Sequence, residues 1–186
     1  GFLYWYRLLN CGLSLPCTAG SDFPFGSNKL ATWYTNLGRD RTYVKTNGDF
    51  SFQSWRNGIR GGRNFSTNGP MLFLSINGKE PGSRLNLQSG DKVIVSARAF
   101  CKYPLEALEL VVNGAVLKIA RGKGGQKYIE CEERIEIKES SWIAARVRGE
   151  AGPKTFGGTA TWNLYAHTSP VYLLVKGKPV NRKEDL

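Results

Sequence analysis

Histidine is almost absent: the 186-residue chain holds one, His167. A zinc site built on histidine ligands cannot be assembled from a single imidazole. A Ser-His-Asp or Cys-His site would have to use His167 as its base. No Gly-x-Ser-x-Gly elbow occurs, and Cys17 is not followed by a helix opening. Cysteine is sparse as well. Cys11, Cys17, Cys101 and Cys131 are too few for a disulfide scaffold and match no zinc-ligand spacing. They read as buried free thiols acting as small hydrophobes, which fits a reducing compartment without assigning one. No apolar run approaches the roughly 20 residues of a membrane span. The opening FLYWYRLLNCGLSL lacks a basic leading region and carries Arg7 and Asn10, so it reads as an amphipathic core helix rather than a signal peptide. Gly122-Lys123-Gly124-Gly125 lacks the Walker spacing and is expected to be a strand connection.

Positive charge, by contrast, is abundant. Twenty-six Lys and Arg against 15 Asp and Glu give a formal charge of +11. These residues are spread along the chain, and the densest runs, 56–63 and 118–127, are interrupted by glycines. No zinc finger, basic helix or RNA-recognition signature accompanies them. The expectation is a solvated basic surface, with salt-sensitive attraction to polyanions at most and no specific nucleic-acid readout. A hydrophobic share of 41% with 5 Trp, 8 Tyr and 9 Phe is enough for a real core.

The pattern divides near residue 70. Residues 1–70 mix helix and strand. Phe2–Cys11 predicts a helix ended by Gly12, Leu15–Ala19 a short strand, and Arg41–Lys45 another. Phe50–Ile59 predicts a second helix with Asp49 as N-cap and with Phe52, Trp55 and Ile59 on one face. Gly61-Gly62 breaks it, and Arg63–Thr67 runs extended. Residues 71–186 then take a period of two. Strands are expected at MLFLSI, KVIVSARAF, on both sides of Asn113-Gly114, at YIECEERIEIK with one register slip near Glu133, at SWIAARVRG and at VYLLV. The predicted fold is mainly β, an antiparallel Ig-like β-sandwich preceded by a small α+β segment.

Most carboxylates lie on these strands opposite apolar residues, as a solvated surface would. Asp22 is the exception. A short apolar strand candidate ends in Ala-Gly-Ser and then presents this carboxylate, as barrel active sites do at the C-terminal ends of strands. The same stretch equally suits an aspartate capping a turn before Pro24, and local sequence leaves both readings open.

Four segments carry a resemblance: YWYRLLNCGLSLPCTAGSDFPFG, RTYVKTNG, FSFQSWRNGIRGGRNFSTNGP and AHTSPVYLLVKGKPV. In that order they resemble the C-terminal part of carbaryl-hydrolase-like (CehA/McbA-type) metallohydrolases of the polymerase-and-histidinol-phosphatase (PHP) superfamily. The resemblance implies that residues 1–70 are the end of a β/α barrel that binds divalent metal, zinc or manganese. Asp22 would be a carried-over ligand, and Arg63, Thr67, Asn68 and His167 possible neighbours of the site. His167 is open between a hydrogen-bonded structural role and a place lining that site. Where the superfamily often has a histidine after the last aspartate, Phe23 and Pro24 stand here, and its earlier metal motifs are not in this chain. The implied function is the C-terminal fragment of a metal-dependent phosphoester or ester hydrolase, inactive alone. Its expected partners are the missing barrel portion or a second copy of the chain in a homo-oligomer. The alternative is a β-sandwich binding module for carbohydrate or protein, with Trp33, Tyr34, Trp142, Trp162 and Tyr165 as a stacking platform.

Overall fold

The computed structural model describes residues 2–21, 37–151 and 163–182. Two helices, α1 (Phe2–Asn10) and α2 (Phe52–Arg60), accompany eleven strands. These are β1 (Arg41–Val44), β2 (Asn64–Thr67), β3 (Met71–Ile76), β4 (Arg84–Leu87), β5 (Asp91–Phe100) and β6 (Leu105–Val112). They continue with β7 (Ala115–Arg121), β8 (Tyr128–Ile137), β9 (Ser141–Ala151), β10 (Asn163–Thr168) and β11 (Val171–Val175).

β9 organises the larger sheet. β6 runs along one of its edges and carries β7 beyond it. Along the other edge, β10 takes the later residues and leads to β2 and β1, while β11 takes the first residues and leads to β4. The smaller sheet is β3-β5-β8. The two sheets face one another across a core that includes Leu72, Val95, Leu108, Leu110, Ile143 and Leu173. The protein is thus mainly β, a sandwich with a small N-terminal α segment. Every described strand pair is antiparallel except β4 with β11, which is parallel. The boundary expected at residue 70 falls between β2 and β3, and β2 is hydrogen-bonded to β10 of the later chain.

Local chemistry explains several elements. Asn113 (φ 50°) and Gly114 (φ 91°) both adopt positive φ, the two-residue turn that matches hairpin twist. α1 ends where Gly12 enters the left-handed region at φ 87°, with Leu13 N–H donating to Leu8 O and Gly12 N–H to Leu9 O. α1 then lies on the outer face of the large sheet, where Tyr6 and Leu9 pack with Val111, Trp142, Ala144 and Val180. Among the described residues no helix is long and apolar enough to cross a membrane.

The structure corrects several expectations. α2 is capped by Ser51, not Asp49, because Ser51 and Ser54 satisfy each other's backbone N–H in a capping box. It meets β1 through the buried Gly58, which abuts Val44, while Phe52 is left 69% exposed. β8 has no register slip: it pairs with β5 unbroken from Tyr128 to Ile137. Glu133 sits at a half-buried position of the apolar face because Lys118 neutralises it at 2.8 Å. Leu15–Ala19 is extended but joins no strand ladder. β4 and β10 are strands that the alternation did not reveal. Of the four free thiols only Cys17 is buried, the other three being half-buried.

One close crossing ties β4 to the end of α2. Gly82 (φ 85°) passes so near Gly61 that a Cβ would sit 1.9 Å from its carbonyl oxygen. Replacement by alanine adds both backbone strain and a clash with main chain. Gly82→Ala is expected to cost about 3 kcal/mol or more, read from the urea midpoint; a wild-type midpoint would contradict this packing.

Candidate functional site

Residues that share a row across a sheet point to the same face, and one such row is polar. Thr42 on β1, Ser66 on β2, His167 on β10, Arg146 on β9 and Glu109 on β6 are successive cross-strand partners. They lie on the outer face of the large sheet, and the N-terminal chain is laid over them.

Each member of the row holds something. Thr42 Oγ1 accepts from Ala19 N–H at 2.8 Å and donates to Ala19 O at 3.0 Å. Ser66 Oγ accepts from the Cys17 thiol at 3.3 Å. The main chain of Cys17 is clamped by neighbours of the row: its N–H donates to Ser169 Oγ at 2.9 Å, and its carbonyl accepts from the Asn64 amide. Segment 15–19 is therefore fixed without a strand partner, because side chains take its backbone groups.

His167 is fully buried. Its Nδ1 lies 2.7 Å from the carbonyl of Thr168, which can only accept, so Nδ1 carries the proton and donates. Nε2 is then the acceptor for Tyr6 O–H, 2.5 Å away. Phe2 stacks on the imidazole at 4.9 Å and Trp5 meets it edge-on at 5.1 Å. Burial holds the imidazole neutral and lowers its pKa to about 4; the Thr168 carbonyl opposes this, and Arg146 adds to it. Arg146 pairs with the buried Glu109 at 2.5 Å. Burial raises the pKa values of Tyr6, Tyr165 and Cys17. The Cys17 thiol is therefore held in its protonated, unreactive form.

The candidate residues do not meet at one point. Asp22 lies outside the described residues, as do Trp33, Tyr34 and Trp162. Thr67 Oγ1 donates to Pro70 O at 2.6 Å and accepts from Gly69 N–H, so it shapes the β2–β3 corner. Asn68 bridges to β10, donating to Asn163 O and accepting from Tyr165 N–H. Arg63 faces a different part of the molecule, a cleft beside β1, β2 and β3. Trp142 cannot serve in an exposed platform: it is fully buried, and its Nε1 donates to Asn10 Oδ1 at 2.6 Å. Tyr165 is half-buried under Phe2. Asn10 and Asn113, which fix Trp142 through its side chain and backbone N–H, had no signal in the sequence beyond Asn113's place in a turn.

Because His167 is the chain's single histidine, it is a clean probe of this packing. Between its usual pKa of 6.5 and the folded value of about 4, the unfolded chain binds a proton that the folded chain refuses. Stability should therefore fall as pH is lowered from 7 to 5, by about 2 kcal/mol. Urea midpoints across that range should show the slope in the wild type and a flatter one in His167→Gln. Equal slopes would mean that the imidazole is not held neutral.

Compared with protein-family models and with curated proteins, the chain matches none.

Proposed function

We propose that this chain is the C-terminal part of a metal-dependent phosphoester or ester hydrolase of the CehA/McbA type, inactive by itself, in which Asp22 is a metal ligand. The observation that carries the reading is the seating of α1. Its inner face is locked by Tyr6 on His167 and by Asn10 on Trp142. Its outer face, apart from Arg7, is also apolar, with Leu3 62%, Tyr4 72% and Leu8 43% exposed. A helix apolar on both sides belongs between two layers of protein, and a preceding barrel portion would be the second layer. The clamped segment 13–21 then leads directly to Asp22.

The described residues do not themselves fit a metal. No group of three or more His, Cys, Asp or Glu lies together among them, and both ring nitrogens of His167 are engaged. In this reading the other ligands come from the barrel portion, which would bring zinc or manganese with it, and no reaction step is assigned to the residues at hand. Thr67 and Asn68 act as supports of the junction rather than as reacting groups, and Arg63 faces the cleft beside β1, β2 and β3.

Two measurements follow. By light scattering the isolated chain should self-associate through α1, and Leu3→Glu with Leu8→Glu should make it monomeric; a monomeric wild type would remove the argument from the open face. Loaded with manganese or zinc, the isolated chain should hold less than one equivalent and turn over neither p-nitrophenyl acetate nor p-nitrophenyl phosphate. Joined to the barrel portion it should do both, and Asp22→Asn should abolish both. Full metal content and turnover in Asp22→Asn would sink the assignment.

A further inference from the structure

On the side of the sandwich away from α1, a cleft of about 1020 Å³ lies between the edge strand β3 and the last strands of the large sheet, β2 and β1. The two sheets do not match in width there. β8 lies against β6 and β7, and β3 against β9 and β10, so β2 and β1 continue past the small sheet. Phe65 on β2 packs on the core between the sheets, and Tyr43, its cross-strand partner on β1, turns to the same face. Tyr43 is nevertheless 40% exposed. Among the described residues, no strand of the small sheet lies beneath it.

β3 has the means to extend that sheet. It pairs only with β5 among the described residues. The bond from Asn77 N–H to Ile94 O sets the parity of the ladder, which turns the N–H and C=O groups of Leu72 and Leu74 away from β5. Both residues line the cleft, and these main-chain groups have no partner among the described residues. On either side of them the edge is closed. Ile76 exchanges its bonds with Lys79, and the Pro70 carbonyl accepts from Thr67 Oγ1. Leu72 and Leu74 are 1% and 3% exposed, so bulk water does little for the open groups between. Recessed main-chain groups without partners are exceptions that call for one.

The geometry selects the partner. An added strand would run roughly 4.8 Å from β3 and roughly 10 Å below the large sheet, which puts it under Phe65 and Tyr43. Its residues opposite Leu72 and Leu74 turn inward with them and have to be apolar, while the residue between turns outward beside Phe73. A second copy of the chain cannot offer its own β3, because that edge is walled by its own β2 and β1 and the two overhangs would collide. A single extended chain is slim enough to enter. At the Ile76 end of the edge, Lys45 donates its N–H to the Arg63 carbonyl and pairs with Glu80 at 2.6 Å. Arg63, at the same end, keeps a buried Nε without a hydrogen-bond partner, a donor on a cation that an acidic side chain satisfies. We propose that β3 takes up an extended segment of a partner protein as a further strand of the small sheet, with apolar residues at two alternate positions and an acidic residue beyond them at Arg63. Main-chain bonds then give affinity, and the alternate side chains give selectivity. The formal charge of +11 favours the same partner. The proposal uses neither Asp22 nor α1, so its failure leaves the hydrolase reading untouched.

The test begins with random octapeptides displayed on phage and selected on the full chain. Selected sequences should alternate apolar and polar residues and carry Asp or Glu on one flank. The synthesised peptide should slow hydrogen exchange at the Leu72 and Leu74 amides of the isotope-labelled chain. N-methylation of the peptide at every second amide should weaken binding by about tenfold or more in one parity and leave it unchanged in the other, because only one set of amides faces β3. That readout needs no variant of the protein. Arg63→Gln should then weaken the acidic peptide by about tenfold, leave its Asn or Gln counterpart unaffected, and keep the melting temperature of the wild type. Four outcomes overturn the proposal: no peptide selected, losses on N-methylation that ignore parity, Leu72 and Leu74 amides that the peptide does not protect, or protection that grows with protein concentration alone, which would make a second copy the occupant. Equal losses of both peptides in Arg63→Gln would overturn the place given to the acid.

Discussion

The buried bond between Tyr6 and His167 is the contact on which the seating of α1 depends. It joins residues 161 positions apart and places a helix on a sheet face where a polar row runs beside an apolar patch. Burying Ser66, His167 and Glu109, with Arg146 half-buried among them, is tolerable only because each finds a partner. The N-terminal chain provides two of those partners, the Tyr6 hydroxyl and the Cys17 thiol. The sheet in turn supplies hydrogen bonds to a segment that has no strand neighbour. Each side satisfies groups that the other would leave stranded, so the two are stable together and costly apart.

The two faces of the sandwich are treated differently for this reason. Between the sheets the core is purely apolar where it is deepest, and specificity there comes from shape. Outside the large sheet, specificity comes from directional bonds: a histidine with a fixed tautomer and an arginine paired with a buried carboxylate. Outside the small sheet neither applies, and aromatic and charged side chains stay open to solvent around the cleft.

Strands that alternate on a half-buried surface were legible in the sequence, as β5, β8 and β9 show, and the β6–β7 hairpin followed from Asn113-Gly114. β10 was hidden because Ala166, His167 and Thr168 are buried whichever face they take, which erases the alternation. β4 was hidden because it is a four-residue strand whose partner, β11, is parallel and distant in the chain. Glu133 imitated a register slip because its ion pair with Lys118 lets a carboxylate occupy an apolar position. His167 was open between two roles, since the deciding partner, Tyr6, lies at the other end of the chain. The row from Thr42 to Glu109 draws one residue from each of five strands, and no local pattern could display it.

The central position of β9, β10 and β11 has a consequence for how the chain comes into being. These strands follow the other described strands in the sequence, yet β2, β4 and β6 all pair with them, and α1 rests on them. Until they emerge, the helix and the early strands have no surface on which to settle. Contacts of such long sequence separation make folding slow, and α1 has to wait, exposed, until the strands it rests on have been made. During that interval exposed apolar surface such as that of α1 makes the chain prone to aggregate.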